Sequence, residues 1–263
     1  MTVISTVLGS SYGIHPRQRY DLFVPERREP PVLVVCLGGS WQGGRHEDQR
    51  SLALALAEQG YAAACLGHRL LGDGARHGQD ICDDVRAALT KAVEEAAIHG
   101  AAPRSVILLG LGDSSLVALA VASQCHGYIP AVRAVVACGV HPTLETWDGC
   151  PTATIKLHEQ FAGGHKQHFD PMHLDAHRFP PVLLVHGDSD TEVPARLVTK
   201  LHMRLVEAGE SSTLAILAGL GHQILNHPHD RAGKLALERI LPFLAEHARE
   251  PGGDERLFAG SRA

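Results

Sequence analysis

Four short stretches of this chain carry residue types that move protons or receive a developing negative charge. "CLGGSWQGG" (36–44) is a glycine-rich loop after an apolar run, and "GLGDSS" (110–115) is a turn between an apolar run and a helix-like segment. "HGDSDTEVP" (186–194) places acidic residues after another apolar run, and "GLGH" (219–222) ends in a loop histidine. A histidine near a carboxylate is a general base whose tautomer the carboxylate fixes. Glycines let backbone amides approach an oxygen that becomes negative during acyl transfer. Such chemistry ordinarily also needs a nucleophile, and a hydrolase carries a serine flanked by small residues in a turn of the 110–114 kind. Counting from Gly110, the central residue of the five is Gly112.

These stretches need elements to bring them together. Apolar runs of strand length at 19–24, 31–37, 61–67, 105–111, 131–138, 181–187 and 213–219 alternate with amphipathic segments near 47–59, 80–98, 114–124, 195–208 and 230–248. The alternation predicts an α/β fold, a mostly parallel sheet of about eight strands flanked by helices. Right-handed crossovers put the loops that follow the strands on one sheet edge, where open α/β sheets bind ligands. The expected organisation is one domain over 1–250, with a short lid insertion at about 140–179 and a disordered tail at 251–263. On the segment 83–97, alternating acidic and basic residues read as a solvated helix face.

Composition narrows the class. With 263 residues, 44% apolar, 20% charged and a formal charge of −5, the chain reads as a soluble globular protein. No basic tract invites nucleic acid, and no apolar stretch approaches the roughly 20 residues that span a bilayer. The N-terminus lacks the pattern of a signal peptide, and the six cysteines are widely spaced, which together predict a reduced, cytoplasmic protein. No cofactor or metal is expected. His158, His165, His168, His173 and His177, with Asp170 and Asp175 among them, read as polar residues of an exposed lid rather than as metal ligands.

"YDLFVP", "CLGGSW", "GLGDSS", "HGDSDTEVP" and "GLGH", in this order over residues 12–248, resemble the landmarks of the α/β-hydrolase superfamily. The nearest likeness is to its esterase/lipase branch, which includes hormone-sensitive-lipase-like and feruloyl-esterase-like proteins. The resemblance implies that Gly38, Gly39 and Ser40 stand on the family's three loop glycines, with Leu37 in place of its histidine. Gly39, Ser40 and the amide of Asp113 are then the oxyanion donors. It further implies that Asp190 is the acid that orients His222, the general base, which its position favours over His227 and His229. Asp190 has a second reading, as a helix N-cap.

Gly112 falls on the usual nucleophile position, so the elbow is degenerate: glycine keeps the strained turn and removes the hydroxyl. Three alternatives stay open. Ser114 is a displaced nucleophile if the strand runs two residues further, although Leu116 then takes a position that wants glycine. Asp113 is a carboxylate nucleophile, or a water is activated by His222 and Asp190. Trp41 either lines the pocket or fills the core, and Arg69 after His68 is structural. The implied activity is of carboxylesterase type, on an ester, lactone or amide bond of a small molecule. The alternatives are a silent pseudo-hydrolase that binds a small ligand, and a lyase or cyclase using the same acid–base pair.

Overall fold

In the computed structural model, which describes residues 3–26, 32–125 and 130–248, the apolar runs are strands. A strand that no apolar run marked, β1 (Ile4–Ser11), precedes the seven that the runs mark, β2 (Arg19–Pro25), β3 (Val32–Leu37), β4 (Ala62–Leu66), β5 (Ser105–Leu111), β6 (Ala131–Cys138), β7 (Val182–Gly187) and β8 (Ser212–Leu217). They form one eight-stranded sheet in the order β1-β2-β4-β3-β5-β6-β7-β8. β2 is antiparallel to β1 and β4, and every other neighbouring pair is parallel. β3, β4, β5 and β7 are buried along their whole length. Strands covered on both faces read as continuous apolar runs, which is why they were visible in the sequence.

Helices cover both faces. α1 (Arg50–Glu58) and α6 (Arg231–Ala248) put Leu52, Leu56, Ile240 and Leu244 against one side of the sheet. α2 (Gly78–Ile98), α3 (Asp113–Gln124) and α5 (Ala195–Glu207) put Val85, Leu116 and Leu201 against the other. α3 is buried from Ser114 to Ser123, so it is apolar nearly all round. α5 buries only Val198, Leu201 and Leu205, a single stripe at helical spacing. On α2 the charges are not all solvated as expected: Asp84 is buried and pairs with Arg69 at 2.7 Å.

The segment 140–179 also departs from expectation. It holds α4 (Thr152–Ala162) and two short 3-10 turns, Lys166–His168 and Ala176–Arg178. Phe161 is fully buried against Trp41, ring centroids 4.0 Å apart, and Phe169 closes on Phe161 at 5.5 Å. His158 and Asp170, expected among exposed polar residues, are buried. His158 packs beside Trp41 and Trp147, while Asp170 accepts bonds from the Thr143 hydroxyl and the amides of Leu144 and Met172. The expected tail at 251–263 lies outside the described residues. No helix among the described residues is long and apolar enough to cross a membrane, and all six cysteines are free.

Candidate active site

Only Gly112 separates β5 from α3, and its backbone has φ 55° and ψ −129°. An L side chain is strained in this conformation and glycine is not, so the chain turns here at no steric cost. The Gly112 amide donates to the carbonyl of Cys138 at 2.9 Å, and the Ser115 amide donates back to the Gly112 carbonyl at 2.9 Å. Asp113 is the first residue of α3, so its amide is among the four with no acceptor inside the helix. The helix adds its positive end at the same point.

The glycine loop lies beside this elbow. Gly39 has φ 86°, and a Cβ there would sit 2.7 Å from the carbonyl of Gly43, so the loop closes on itself only because the position is glycine. Two links join the loop to the elbow. The Ser114 hydroxyl donates to the Gly39 carbonyl at 3.2 Å, and the Trp41 indole N–H donates to the Asp113 carbonyl at 3.0 Å. Both findings correct sequence expectations. Ser114 is fully buried within α3 because the strand ends at Leu111, not two residues later, so its hydroxyl is not presented as a displaced nucleophile. Trp41 is fully buried on Phe161 and belongs to the core rather than to the pocket lining.

Asp190 and His222 come together from the loops after β7 and β8. Nδ1–H of His222 donates to Oδ2 of Asp190 at 2.8 Å. The other carboxylate oxygen accepts the amides of Glu192 at 2.8 Å and Val193 at 2.9 Å. The N-cap of α5 is Pro194, so Asp190 braces the turn before the helix while it holds the histidine. Burial works to raise the Asp190 carboxyl, but the His222 bond and the two amides outweigh it and hold it below its usual range. Burial likewise works to lower His222, and Asp190, Glu192 and Asp113 outweigh it, so its imidazole is pushed above 6.5.

With Nδ1 on Asp190, Nε2 of His222 faces the elbow: a Cβ built on Gly112 would lie 3.5 Å from it. A hydroxyl one bond further would be within hydrogen-bond reach, the spacing a nucleophile and its base require. A cavity of about 810 Å³ opens here, lined by Gly39, Ser40, Gly112, Asp113, His222 and Glu192. The structure thus brings together every sequence-derived candidate except Ser114 and Trp41.

Sequence reasoning missed two histidines. His186 is fully buried, its Nε2–H donates to the Val193 carbonyl at 2.9 Å and lies 3.2 Å from Oδ2 of Asp190, and its Nδ1 accepts the Val140 amide at 3.0 Å. Burial pushes its pKa down, so a neutral imidazole packs beside Asp190. Its place four residues before Asp190 in "HGDSD" was the available signal. His141, after β6, has Nδ1 3.2 Å from Oδ1 of Asp113 and Nε2 2.6 Å from Nε2 of His158. Nothing in its sequence neighbourhood marked it. Among the described residues one group, Glu145, Asp170 and His173, has a donor set suited to a cation. Its carboxylates are already engaged: Lys166 pairs with Glu145 at 3.1 Å, and Asp170 holds the hydroxyl and amides named above.

Comparison with known proteins bears on the fold. A family model described as BD-FAE matches residues 20–125, and one described as the prolyl oligopeptidase family matches residues 154–250. A probable isoprenylcysteine alpha-carbonyl methylesterase of Arabidopsis thaliana is 32% identical over 101 residues, covering 38% of this chain and 24% of that protein. Another methylesterase of this name from the same plant is 23% identical over 249 residues, covering 80% of this chain and 55% of its own length. The chain therefore spans between about a quarter and just over half of these curated relatives. Among solved structures, a thermophilic esterase of Thermogutta terrifontis with propionate bound superposes with a TM-score of 0.72 at 19% identity, over 95% of this chain and 97% of that one. Esterase B from Lactobacillus rhamnosis gives 0.77 at 18% identity, over 93% and 86%. With its strand order, its landmarks in family order and these likenesses, the chain has the α/β-hydrolase fold and is similar to esterases of that fold.

Proposed function

We propose that this protein is a hydrolase of the carboxylic-ester type in which His222, oriented by Asp190, activates a water instead of a serine. The observation that carries this reading is the Asp190–His222 pair, closed at 2.8 Å and facing a glycine where an attacking oxygen belongs. The acyl carbonyl of an ester or lactone sits over Gly112, and Nε2 takes a proton from the water as it attacks. The amides of Gly39, Ser40 and Asp113 receive the oxygen that becomes negative. The likeness to proteins named as methylesterases and esterases supports an ester as substrate.

The magnitude sets the expectation. Removing the nucleophile of a serine protease costs about a millionfold in turnover, and binding with the oxyanion hole leaves on the order of a thousandfold over water. Turnover is therefore slow and favours reactive acyl groups such as aryl esters and strained lactones. A second reading, a binding protein without turnover, draws on Asp113, whose carboxylate beside the elbow opposes negative charge on the substrate.

One experiment separates them: hydrolysis of p-nitrophenyl acetate and of a small lactone by the purified protein beside His222→Ala, with fluorophosphonate labelling. The expected result is a rate that falls about a hundredfold or more in His222→Ala, with no covalent label. A parent rate equal to that of His222→Ala would overturn the hydrolytic reading in favour of ligand binding.

A further inference from the structure

The cavity that surrounds His222 carries charge that the hydrolytic step above does not use. Four carboxylates line it, those of Glu47, Asp48, Asp113 and Glu192, against one guanidinium, that of Arg50. The guanidinium is already committed: Nε of Arg50 donates at 2.6 Å to Oδ2 of Asp21, which is fully buried. Glu47 is committed too, paired with Arg45 at 2.6 Å. Asp113 and Glu192 are the two that bear on the reacting centre. Asp113 follows Gly112 at the start of α3, its side chain 17% exposed and its Oδ1 3.2 Å from Nδ1 of His141. Glu192 is exposed, and its side chain pairs with no cation among the described residues. Both act on the His222 imidazole and help to push it up, which sets their charge near the group that takes the proton.

Two consequences follow for whatever binds here. A carboxylate beside the elbow opposes the oxyanion that the amides of Gly39, Ser40 and Asp113 are to receive, and no uncommitted Lys or Arg among the described residues lines the cavity to offset it. A positive charge on the ligand offsets it instead, since opposite charges a few ångströms apart attract strongly even near a protein surface. The cavity also holds an acceptor that lacks a donor. Gln49 is 7% exposed and lines the same cavity, and its Oε1 is buried with no hydrogen-bond partner among the described residues. A buried acceptor without a partner is costly, and an N–H donor on the ligand is the kind of group that satisfies it.

We propose that the ester this pocket takes carries a protonated amine, held by the carboxylates of Asp113 and Glu192 with Gln49 as a further acceptor. The proposal rests on the hydrolytic reading and names its substrate class. The acyl carbonyl lies over Gly112 as before, and the ammonium lies against the two carboxylates a short chain away. Bound there, it cancels the charge that otherwise disfavours attack, so the substrate completes the electrostatics of its own oxyanion site. It also opposes the raised value of His222, which favours the neutral imidazole that accepts a proton. A neutral ester of the same shape leaves Asp113 uncompensated and reacts more slowly, and an anionic one is repelled. The pocket thus selects by charge as well as by shape.

The test uses two pairs of esters that differ in one charged group. β-Alanine ethyl ester and ethyl butanoate carry ammonium or methyl on the acyl side, and dimethylaminoethyl acetate and isopentyl acetate carry a protonated nitrogen or a carbon on the alcohol side. Each kcat/KM is divided by the rate of the same ester with hydroxide, which removes intrinsic reactivity. In at least one pair the cationic ester is expected to be preferred by about tenfold or more, and the preference to shrink as ionic strength rises from about 0.01 to about 1 M. Asp113→Asn should lower kcat/KM on the cationic ester of that pair and raise it on the neutral one, whereas a structural role would lower both. Glu192→Gln should reduce the preference further. Equal corrected rates within both pairs, or a preference that survives both substitutions together, would overturn the amine-bearing substrate and leave His222-dependent hydrolysis of p-nitrophenyl acetate standing. Absence of that His222 dependence refutes the hydrolytic reading instead. The charge preference is then read from binding alone, dimethylaminoethanol against isopentyl alcohol by calorimetry: tighter binding of the amine that is lost in Asp113→Asn supports it, and equal binding overturns it as well.

Discussion

Gly112→Ser puts the missing hydroxyl back, and the structure sets both its cost and its gain. A side chain at φ 55° and ψ −129° is strained by about 1–3 kcal/mol. The added Cβ meets Nε2 of His222 at 3.5 Å, ordinary contact, so no collision adds to this. At about 2 kcal/mol, a chain of this size loses roughly 4–8 °C in Tm. The gain follows from what a nucleophile is worth, about a millionfold in turnover when the rest of the site is intact. Asp113 opposes the oxyanion here, so the expected rise on p-nitrophenyl acetate is smaller, about a thousandfold over the parent. Stopped-flow release of p-nitrophenol should show a burst, and a fluorophosphonate should label position 112. Gly112→Ala separates strain from chemistry: it should lose the same Tm and gain nothing. A Gly112→Ser protein that folds, shows the Tm loss, and yet neither labels nor accelerates would refute the inference that Nε2 of His222 reaches an oxygen at this position.

Three further outcomes follow from the same geometry. Because His222 must be neutral to accept a proton and is held above 6.5, activity should rise with pH through a midpoint above 6.5 in a pH–rate profile. Asp190→Asn should move that midpoint down and reduce kcat by no more than His222→Ala does, about a hundredfold. The pair's effect on stability has the opposite sense: it is fully present below the unfolded value and is lost as pH rises through the raised folded one. His158, pushed down to about 4, is neutral when folded while the unfolded chain binds a proton below 6.5. Stability should therefore fall by about 3 kcal/mol as pH drops from 6.5 to 4, and urea titrations should show this fall diminished in His158→Gln. Ser114→Ala should cost only about 1 kcal/mol in denaturant unfolding and leave His222-dependent hydrolysis in place, whereas its abolition would restore Ser114 as a nucleophile.

The sheet was legible where burial on both faces forced unbroken apolar runs, as in β3, β5 and β7. β1 was not, because an edge strand shares only one neighbour and "ISTVLGSS" needs no continuous apolar face. α4 was missed for a related reason: it buries only His158, Phe161 and Ala162, and one of these is a histidine. Within the site, Asp190, His222 and Gly112 lie in turns whose residue types announce them. Ser114 hinged on where β5 ends, a choice of two residues that local sequence leaves open and the positive φ of Gly112 decides. His141 and His186 depend on contacts between loops distant in sequence, and no local pattern carries such contacts.

The two hydrogen bonds from Ser114 to Gly39 and from Trp41 to Asp113 tie the glycine loop and the start of α3 into one stiff body. The proposed anion-binding amides then cannot drift apart when the pocket is empty or draw together when it fills. Their separation belongs to the scaffold and not to the ligand. Recognition of a tetrahedral oxygen by such a wall requires little reordering of the backbone, so a phosphonate or boronate ester matching that separation should find its seat already formed. A substitution at either link would loosen both sides of the wall together, and its mark would be weaker selectivity for tetrahedral over planar ligands.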